Sequence, residues 1–321
     1  MKTAQVIGFG GVDRIQIIDV PAPKPGIGEV LIRIKACGLN GSDILQREGI
    51  YPGGPKPPFF PGSEAAGIVE MHGSGVNGPP IGTAVTFLTS GGAHAEFATV
   101  KADSCIPLPE TLTFVEGAAF PVHYLTAYHA LTTVAHAKPG ETVVIHAAAG
   151  GLGTAAVQIA RILGLKILAT ASTPEKRRRV VELGADLAVD YSDFESACRD
   201  LTGGNGPALI LDSIGGDIFR RSLALLPPLG RLVVMSISSN ETPKIDAASL
   251  LFRSKSVSGI HLSALLTQRE LIRRSLEELM NWIGAGKIRI QVGHTLPLAS
   301  LREAHTLLAS RKSYGKIVLT T

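Results

Sequence analysis

The segment Thr142-Val-Val-Ile-His-Ala-Ala-Ala-Gly-Gly-Leu-Gly-Thr-Ala-Ala-Val-Gln-Ile-Ala160 constrains the fold more than any other part of the chain. Val143, Val144 and Ile145 form a short unbroken apolar run, the pattern of a strand covered on both faces. Val157, Ile159 and Ala160 continue as a helix that begins on small residues. Gly150, Gly151 and Gly153 lie between them. Glycine there lets the chain turn sharply, lets the backbone approach a bound group and lets the helix pack close to the strand. The helix start offers free N–H groups and the positive end of a dipole to an anion. Strand, glycine turn and helix in this order predict a doubly wound parallel sheet of Rossmann type, with Ala148, Gly150, Gly151, Leu152 and Gly153 around a pyrophosphate.

The next strand narrows the cofactor. Lys166-Ile-Leu-Ala-Thr170 ends at Ala171-Ser172-Thr173, about where an NAD-specific site carries an acidic residue for the ribose 2′-hydroxyl. No carboxylate stands there. Ser172 is followed by Lys176, Arg177, Arg178 and Arg179, so hydroxyl and cationic donors occupy the place of a 2′-phosphate, which favours NADPH. Residues 175–179 can also be read as the solvated face of a helix, most readily for Arg178 and Arg179.

At 321 residues, 45% hydrophobic and 18% charged, the chain is long enough for two domains with substantial cores and excludes a disordered protein. The net charge of +4 is dispersed apart from residues 176–179, so nucleic-acid binding is not expected by default. Cys37, Cys105 and Cys198 are widely spaced and odd in number, which argues against a disulfide framework and a thiolate zinc lobe. The N-terminus lacks a signal peptide's apolar core and no stretch has the length of a membrane span. A soluble, cytoplasmic protein with no membrane partner is expected.

Organisation changes along the chain. The first 120 or so residues are rich in Gly and Pro, with alternating segments such as Glu29-Val-Leu-Ile-Arg-Ile-Lys35 and Ala66-Gly-Ile-Val-Glu-Met71. These predict strands and turns rather than helices. From about Val122 helices and strands alternate, as a doubly wound sheet requires. The tail predicts a helix over 268–285, a strand near 290–295, a helix over 299–309 and a last strand, Lys316 to Thr320.

Five segments in order carry a family resemblance: Ala36-Cys-Gly-Leu-Asn-Gly-Ser-Asp43, Pro61-Gly-Ser-Glu-Ala-Ala-Gly67, Ala119-Phe-Pro-Val-His-Tyr-Leu-Thr-Ala-Tyr128, the loop from His146 to Gly153, and Ser310-Arg-Lys-Ser-Tyr-Gly-Lys-Ile-Val-Leu319. Together they resemble the medium-chain dehydrogenase/reductase superfamily, and within it the zinc-free quinone oxidoreductases of the zeta-crystallin type. The resemblance implies an α/β protein in which a GroES-like, mainly β catalytic domain (1–122 and 263–321) accompanies a Rossmann NADPH-binding domain (123–262). Zinc-dependent relatives place metal ligands where Asn40 and Ser63 stand, and a third near Val122. A neutral amide and a lone hydroxyl do not replace thiolate and imidazole, so no metal site is expected.

The activity implied is hydride transfer from NADPH to a quinone or to the β-carbon of an α,β-unsaturated carbonyl. Tyr51, in Glu48-Gly-Ile-Tyr-Pro52, matches a tyrosine that lines the substrate cleft. With Asn40 it is expected near the nicotinamide and the acceptor oxygen; each also reads as a turn residue. Matched positions add Thr126, Ile260, Leu262 and Arg311 on the nicotinamide side, and Tyr191 with Ser172 and Lys176 as a phosphate clamp. His146 is usual before the glycine loop and is expected to bond locally. Phe59 and Phe60 read as a wall for a planar acceptor or as core. A homodimer through the edge strand at 254–259 is implied. An enoyl-thioester reductase, and an NADPH-binding protein with an RNA-binding or structural role, are the alternatives.

Overall fold

In the computed structural model, which describes residues 1–239 and 241–321, six strands run parallel in one sheet: β1 (Thr142–Ile145), β2 (Lys166–Thr170), β3 (Leu187–Val189), β4 (Leu209–Asp212), β5 (Arg231–Val234) and β6 (Ser256–Gly259). Their order is β3-β2-β1-β4-β5-β6. The order reverses between β1 and β4, and a doubly wound sheet binds its ligand at the carboxyl ends beside such a reversal. Helices Gly151–Ile162, Pro174–Glu182, Phe194–Leu201 and Gly216–Leu225 form the crossovers. Val144, Leu168, Ile210 and Leu232, one from each of four neighbouring strands, pack with Phe194 and Phe219 in one core. Burial on both faces explains why these strands read as unbroken apolar runs.

A second sheet is largely antiparallel. Val292–Pro297, Lys316–Thr320, Glu29–Leu39, Glu64–His72, Ala84–Leu88 and Cys105–Pro107 follow one another across it, and Phe97–Lys101 pairs with Glu29–Leu39. Only its first two strands are parallel to each other. Val30, Ile32, Ile34, Val69, Val85 and Phe87 line its core. Two compact units result, Met1–Val122 with Ile290–Thr321, and His123–Arg289.

Two expectations need correction. The tail does not leave the parallel-sheet unit at residue 263; it does so at Arg289. Helix Arg269–Gly284 stays because Ser275 Oγ hydrogen-bonds His129 Nε2 at 3.1 Å and Trp282 packs on Tyr128, ring centroids 5.9 Å apart. Arg289 N–H then donates to Gln158 Oε1 at 2.8 Å. The first 120 residues also hold helices, Gly41–Glu48 and Phe114–Ala119, where only strands and turns were expected. Both are short, so apolar periodicity barely registers, and capping decides instead. Asp43 Oδ2 accepts from Asn40 N–H at 2.8 Å in a capping box, and Gly49 ends the helix at φ 77°. No helix among the described residues is long and apolar enough to cross a membrane.

Candidate active site

At the end of β1 the backbone itself makes the site. His146 N–H donates to Leu211 O and Ala148 N–H to Thr170 O, both at 3.0 Å, so residues 146–148 are held against β4 and β2. Ala147 takes a left-handed conformation, φ 52°, and Gly150 caps helix Gly151–Ile162 with no side chain. The N–H groups of Gly151, Leu152 and Gly153 therefore face outward past the strand. A Cβ on Gly153 would lie 2.3 Å from Ala147 O and 2.6 Å from Ala148 Cα, so only glycine lets helix and loop approach this closely. Narrow backbone, helix N-terminus and no competing side chain fit a pyrophosphate.

Beneath the loop, His146 is fully buried and hydrogen-bonds Thr170 Oγ1 at 3.0 Å and Ser222 Oγ at 2.8 Å. Its ring stacks on Tyr191 at 6.4 Å and meets Phe194 edge-on at 4.9 Å. Burial, with Arg221 adding to it, pulls its pKa down to about 3, so the ring is neutral. The local bonding expected of His146 is what the structure contains.

The carboxyl ends of β2 and β3 gather the expected phosphate donors. Thr173 caps helix Pro174–Glu182 by accepting from Lys176 N–H at 3.2 Å. This puts Lys176 in the first turn of the helix that follows exposed Ser172, while half-buried Tyr191 comes just after the neighbouring strand β3. Burial lowers the Lys176 pKa. Arg179 pairs with Glu175 at 2.7 Å and Arg178 reaches Glu182 at 3.8 Å, all well exposed, which assigns these two arginines to the solvated face. Arg177 does something else. Its Nη1 donates to Asp190 Oδ2 at 2.8 Å and to Ala171 O at 3.0 Å, bridging the two strand ends.

Past the ends of β5 and β6, Ile260 N–H donates to Val234 O at 3.1 Å, prolonging the strand pairing. Ile260 and His261 line a cavity of about 470 Å³ with Val134, Met235 and Ile237. Leu262 is buried at the head of a short helix behind it, and Thr126 is buried in helix Pro121–His129. This apolar hollow at the strand ends suits a flat ring with few polar partners.

In the antiparallel unit, register assembles a buried polar cluster. Ile317 pairs with Leu39 and Ala65 with Cys37, which brings Lys316, Asn40 and Glu64 together at the end of the strands. Asn40 Nδ2 donates to Glu64 Oε1 at 2.9 Å and to Ser63 Oγ at 3.3 Å; Lys316 Nζ donates to Asn40 Oδ1 at 2.6 Å and to Glu64 Oε1. Glu64 Oε2 accepts from Val122 N–H at 2.8 Å. Gly38 makes room, since a Cβ there would lie 2.4 Å from Ala118 O and 2.8 Å from Glu64 Oε1. Asn40, expected at the substrate, is thus 3% exposed with both amide hydrogens committed.

Tyr51 follows this helix, its N–H donating to Leu45 O at 3.2 Å. Burial and then the Asp43 carboxylate raise its pKa, which keeps the phenol protonated. Arg311 is exposed in a left-handed conformation, φ 59°, just past helix Leu301–Ala309. Phe59 is core, bridged to Val6 through the backbone, whereas Phe60 is 44% exposed. Sequence reasoning missed Glu64, Lys316 and Asp190, and it counted Arg177 among the phosphate donors where the structure pairs it with Asp190. Glu64 and Lys316 stood inside the quoted motifs, so a charged residue within each apolar strand start was the available signal.

Residues 26–110 match the alcohol dehydrogenase GroES-like domain family, and residues 151–283 the zinc-binding dehydrogenase family. The quinone oxidoreductase of Pseudomonas aeruginosa is 34% identical over 322 residues, 99% of each chain. The human synaptic vesicle membrane protein VAT-1 homolog is 32% identical over 340 residues, 99% of this chain and 86% of that protein. The structure of Escherichia coli quinone oxidoreductase complexed with NADPH superposes with a TM-score of 0.95 at 31% identity, over 100% of both chains. With its glycine crossover, GroES-like sheet and full-length likeness to these proteins, the chain belongs to the medium-chain dehydrogenase/reductase superfamily, among its quinone oxidoreductase-like members.

Proposed function

We propose that this chain is a zinc-independent, NADPH-dependent reductase of quinones and α,β-unsaturated carbonyl compounds. The observation that carries the reading is the end of β2, where Ser172 and Lys176 stand and residues 170–174 include no carboxylate. The NADPH in the Escherichia coli neighbour and the activity named for the Pseudomonas aeruginosa relative support it. Ala148 and Gly150 to Gly153 would take the pyrophosphate, and Ser172, Lys176 and Tyr191 the 2′-phosphate. Thr126, Ile260, Leu262 and Arg311 would serve the nicotinamide side.

When bound, the reduced nicotinamide supplies a hydride. The chain's own residues orient the acceptor and stabilise the charge that builds on its oxygen. Tyr51, kept neutral, donates a hydrogen bond to that oxygen, a contact that strengthens as negative charge develops. Its raised pKa makes it a poor acid, so solvent delivers the proton. Asn40 acts at one remove: by donating to Ser63 Oγ it leaves the Ser63 hydroxyl hydrogen to point elsewhere.

The donor set supports zinc independence. Asn40 and Ser63 are weak zinc ligands, and the Lys316 ammonium 2.6 Å from Asn40 Oδ1 already supplies a positive charge. The edge strand Ser256–Gly259, near exposed Leu251, Phe252 and Leu229, would pair with its copy in a homodimer.

Isothermal titration calorimetry with NADPH and NADH reads cofactor binding directly. Wild-type protein is expected to bind NADPH more tightly than NADH and to reduce 1,2-naphthoquinone at a rate unchanged by EDTA. A protein that reduces no quinone, enone or enoyl thioester, and binds RNA with a steep salt dependence, overturns the reading.

A further inference from the structure

The clamp assigned to the 2′-phosphate lies beside an acidic residue. Val189 pairs with Thr170, Ala171 N–H donates to Val189 O at 3.1 Å, and the next residues are Ser172 on one strand end, Asp190 and Tyr191 on the other. Asp190 thus directly precedes Tyr191 of the clamp, and the arginine that binds it, Arg177, directly follows Lys176. The Asp190 side chain is 39% exposed. A carboxylate in that position would repel a phosphate carrying nearly two negative charges.

Arg177 opposes it. Its Nη1 donates both to Asp190 Oδ2 at 2.8 Å and to Ala171 O at 3.0 Å, with 24% of the side chain exposed. Asp190 Oδ1 meets Ser192 N–H at 3.4 Å. Glu195 is matched by Arg221 at 2.8 Å, which also donates to Tyr191 O at 3.1 Å. Between these two acids in sequence, Asp193 Oδ1 accepts from Ser192 Oγ at 2.8 Å.

We propose that Arg177 is a specificity-determining residue: by neutralising Asp190 it makes the β2–β3 strand ends acceptable to a 2′-phosphate, and without it the same site favours a dinucleotide bearing a ribose 2′-hydroxyl. The proposal rests on the NADPH reading above. It differs from direct phosphate binding, because Arg177 acts through the residue it cancels. It also differs from a purely structural bridge between strands, which would serve NADH and NADPH alike.

Dissociation constants for NADPH and NADH, read by isothermal titration calorimetry at 50 mM and 500 mM salt, test it on wild type, Arg177→Met, Asp190→Asn and the double variant. Arg177→Met is expected to weaken NADPH about tenfold at low salt and less at high salt, with NADH changed under twofold. Adding Asp190→Asn restores NADPH to within about threefold of wild type, because no charge is left to cancel. Equal losses for the two nucleotides, or no recovery in the double variant, would overturn the proposal while leaving the NADPH reading intact. Wild-type protein that binds NADH as tightly as NADPH would overturn both. Arg177→Lys keeps the charge and is expected to stay near wild type, which guards against a folding defect in the methionine variant.

Discussion

Lys316 and Glu64 form an ion pair in which neither side chain is more than 2% exposed. Desolvation of two charges is offset only because Asn40 and Val122 N–H complete the bonding. Removing one partner strands the other. Lys316→Met should cost about 3–5 kcal/mol in urea unfolding, and Lys316→Met combined with Glu64→Gln should recover part of it. A single variant within about 1 kcal/mol of wild type would show that water reaches the cluster.

Tyr51→Phe tests the acceptor contact. Loss of one hydrogen bond to a developing oxyanion predicts about a tenfold fall in kcat with NADPH affinity unchanged. Since burial and Asp43 raise the phenol pKa, the wild-type rate should also show no loss from Tyr51 ionisation at pH 9, below its ordinary pKa of about 10. An unchanged rate in the phenylalanine variant would make Tyr51 a packing residue.

Lys176→Glu tests the clamp. The substitution places a carboxylate beside Ser172, so NADPH affinity should fall about a hundredfold and NADH affinity by less than about threefold. Because burial lowers the Lys176 pKa, wild-type NADPH affinity should begin to weaken at lower pH than an ordinary lysine would impose. Equal losses for both nucleotides would remove Lys176 from the phosphate.

Much of the parallel sheet was legible because its four central strands are buried on both faces, so local pattern and tertiary role coincide. Gly153 announced its close packing because no other residue tolerates a carbonyl 2.3 Å from its Cβ position. The Asn40 helix was not legible: its eight residues, GSDILQRE, hold two apolar side chains, and one capping contact decides between turn and helix. The Lys316–Glu64 pair lies 252 residues apart in sequence and exists only through strand register. The boundary at Arg289 was hidden similarly, since the bonds that hold it reach back to Gln158 and His129.

His146 gives the parallel-sheet unit a built-in acid sensitivity. Its folded pKa, about 3, lies below the unfolded value of about 6.5, so its contribution is fully present above pH 6.5 and is lost as pH falls toward 3. Over that window the one extra proton taken up on unfolding costs about 1.4 kcal/mol per pH unit. His305 in the antiparallel unit, bonded to Arg47 and also held near 3, adds a parallel loss there. His146→Gln keeps hydrogen-bonding groups for Thr170 and Ser222 but has nothing to protonate. It should be less stable than wild type at pH 7 by about 1–3 kcal/mol, yet the gap should narrow or reverse by pH 4.5, leaving the sensitivity from His305. Unfolding free energies measured from pH 7 to 4.5 check this; curves that stay parallel would mean that His146 is protonated in the fold.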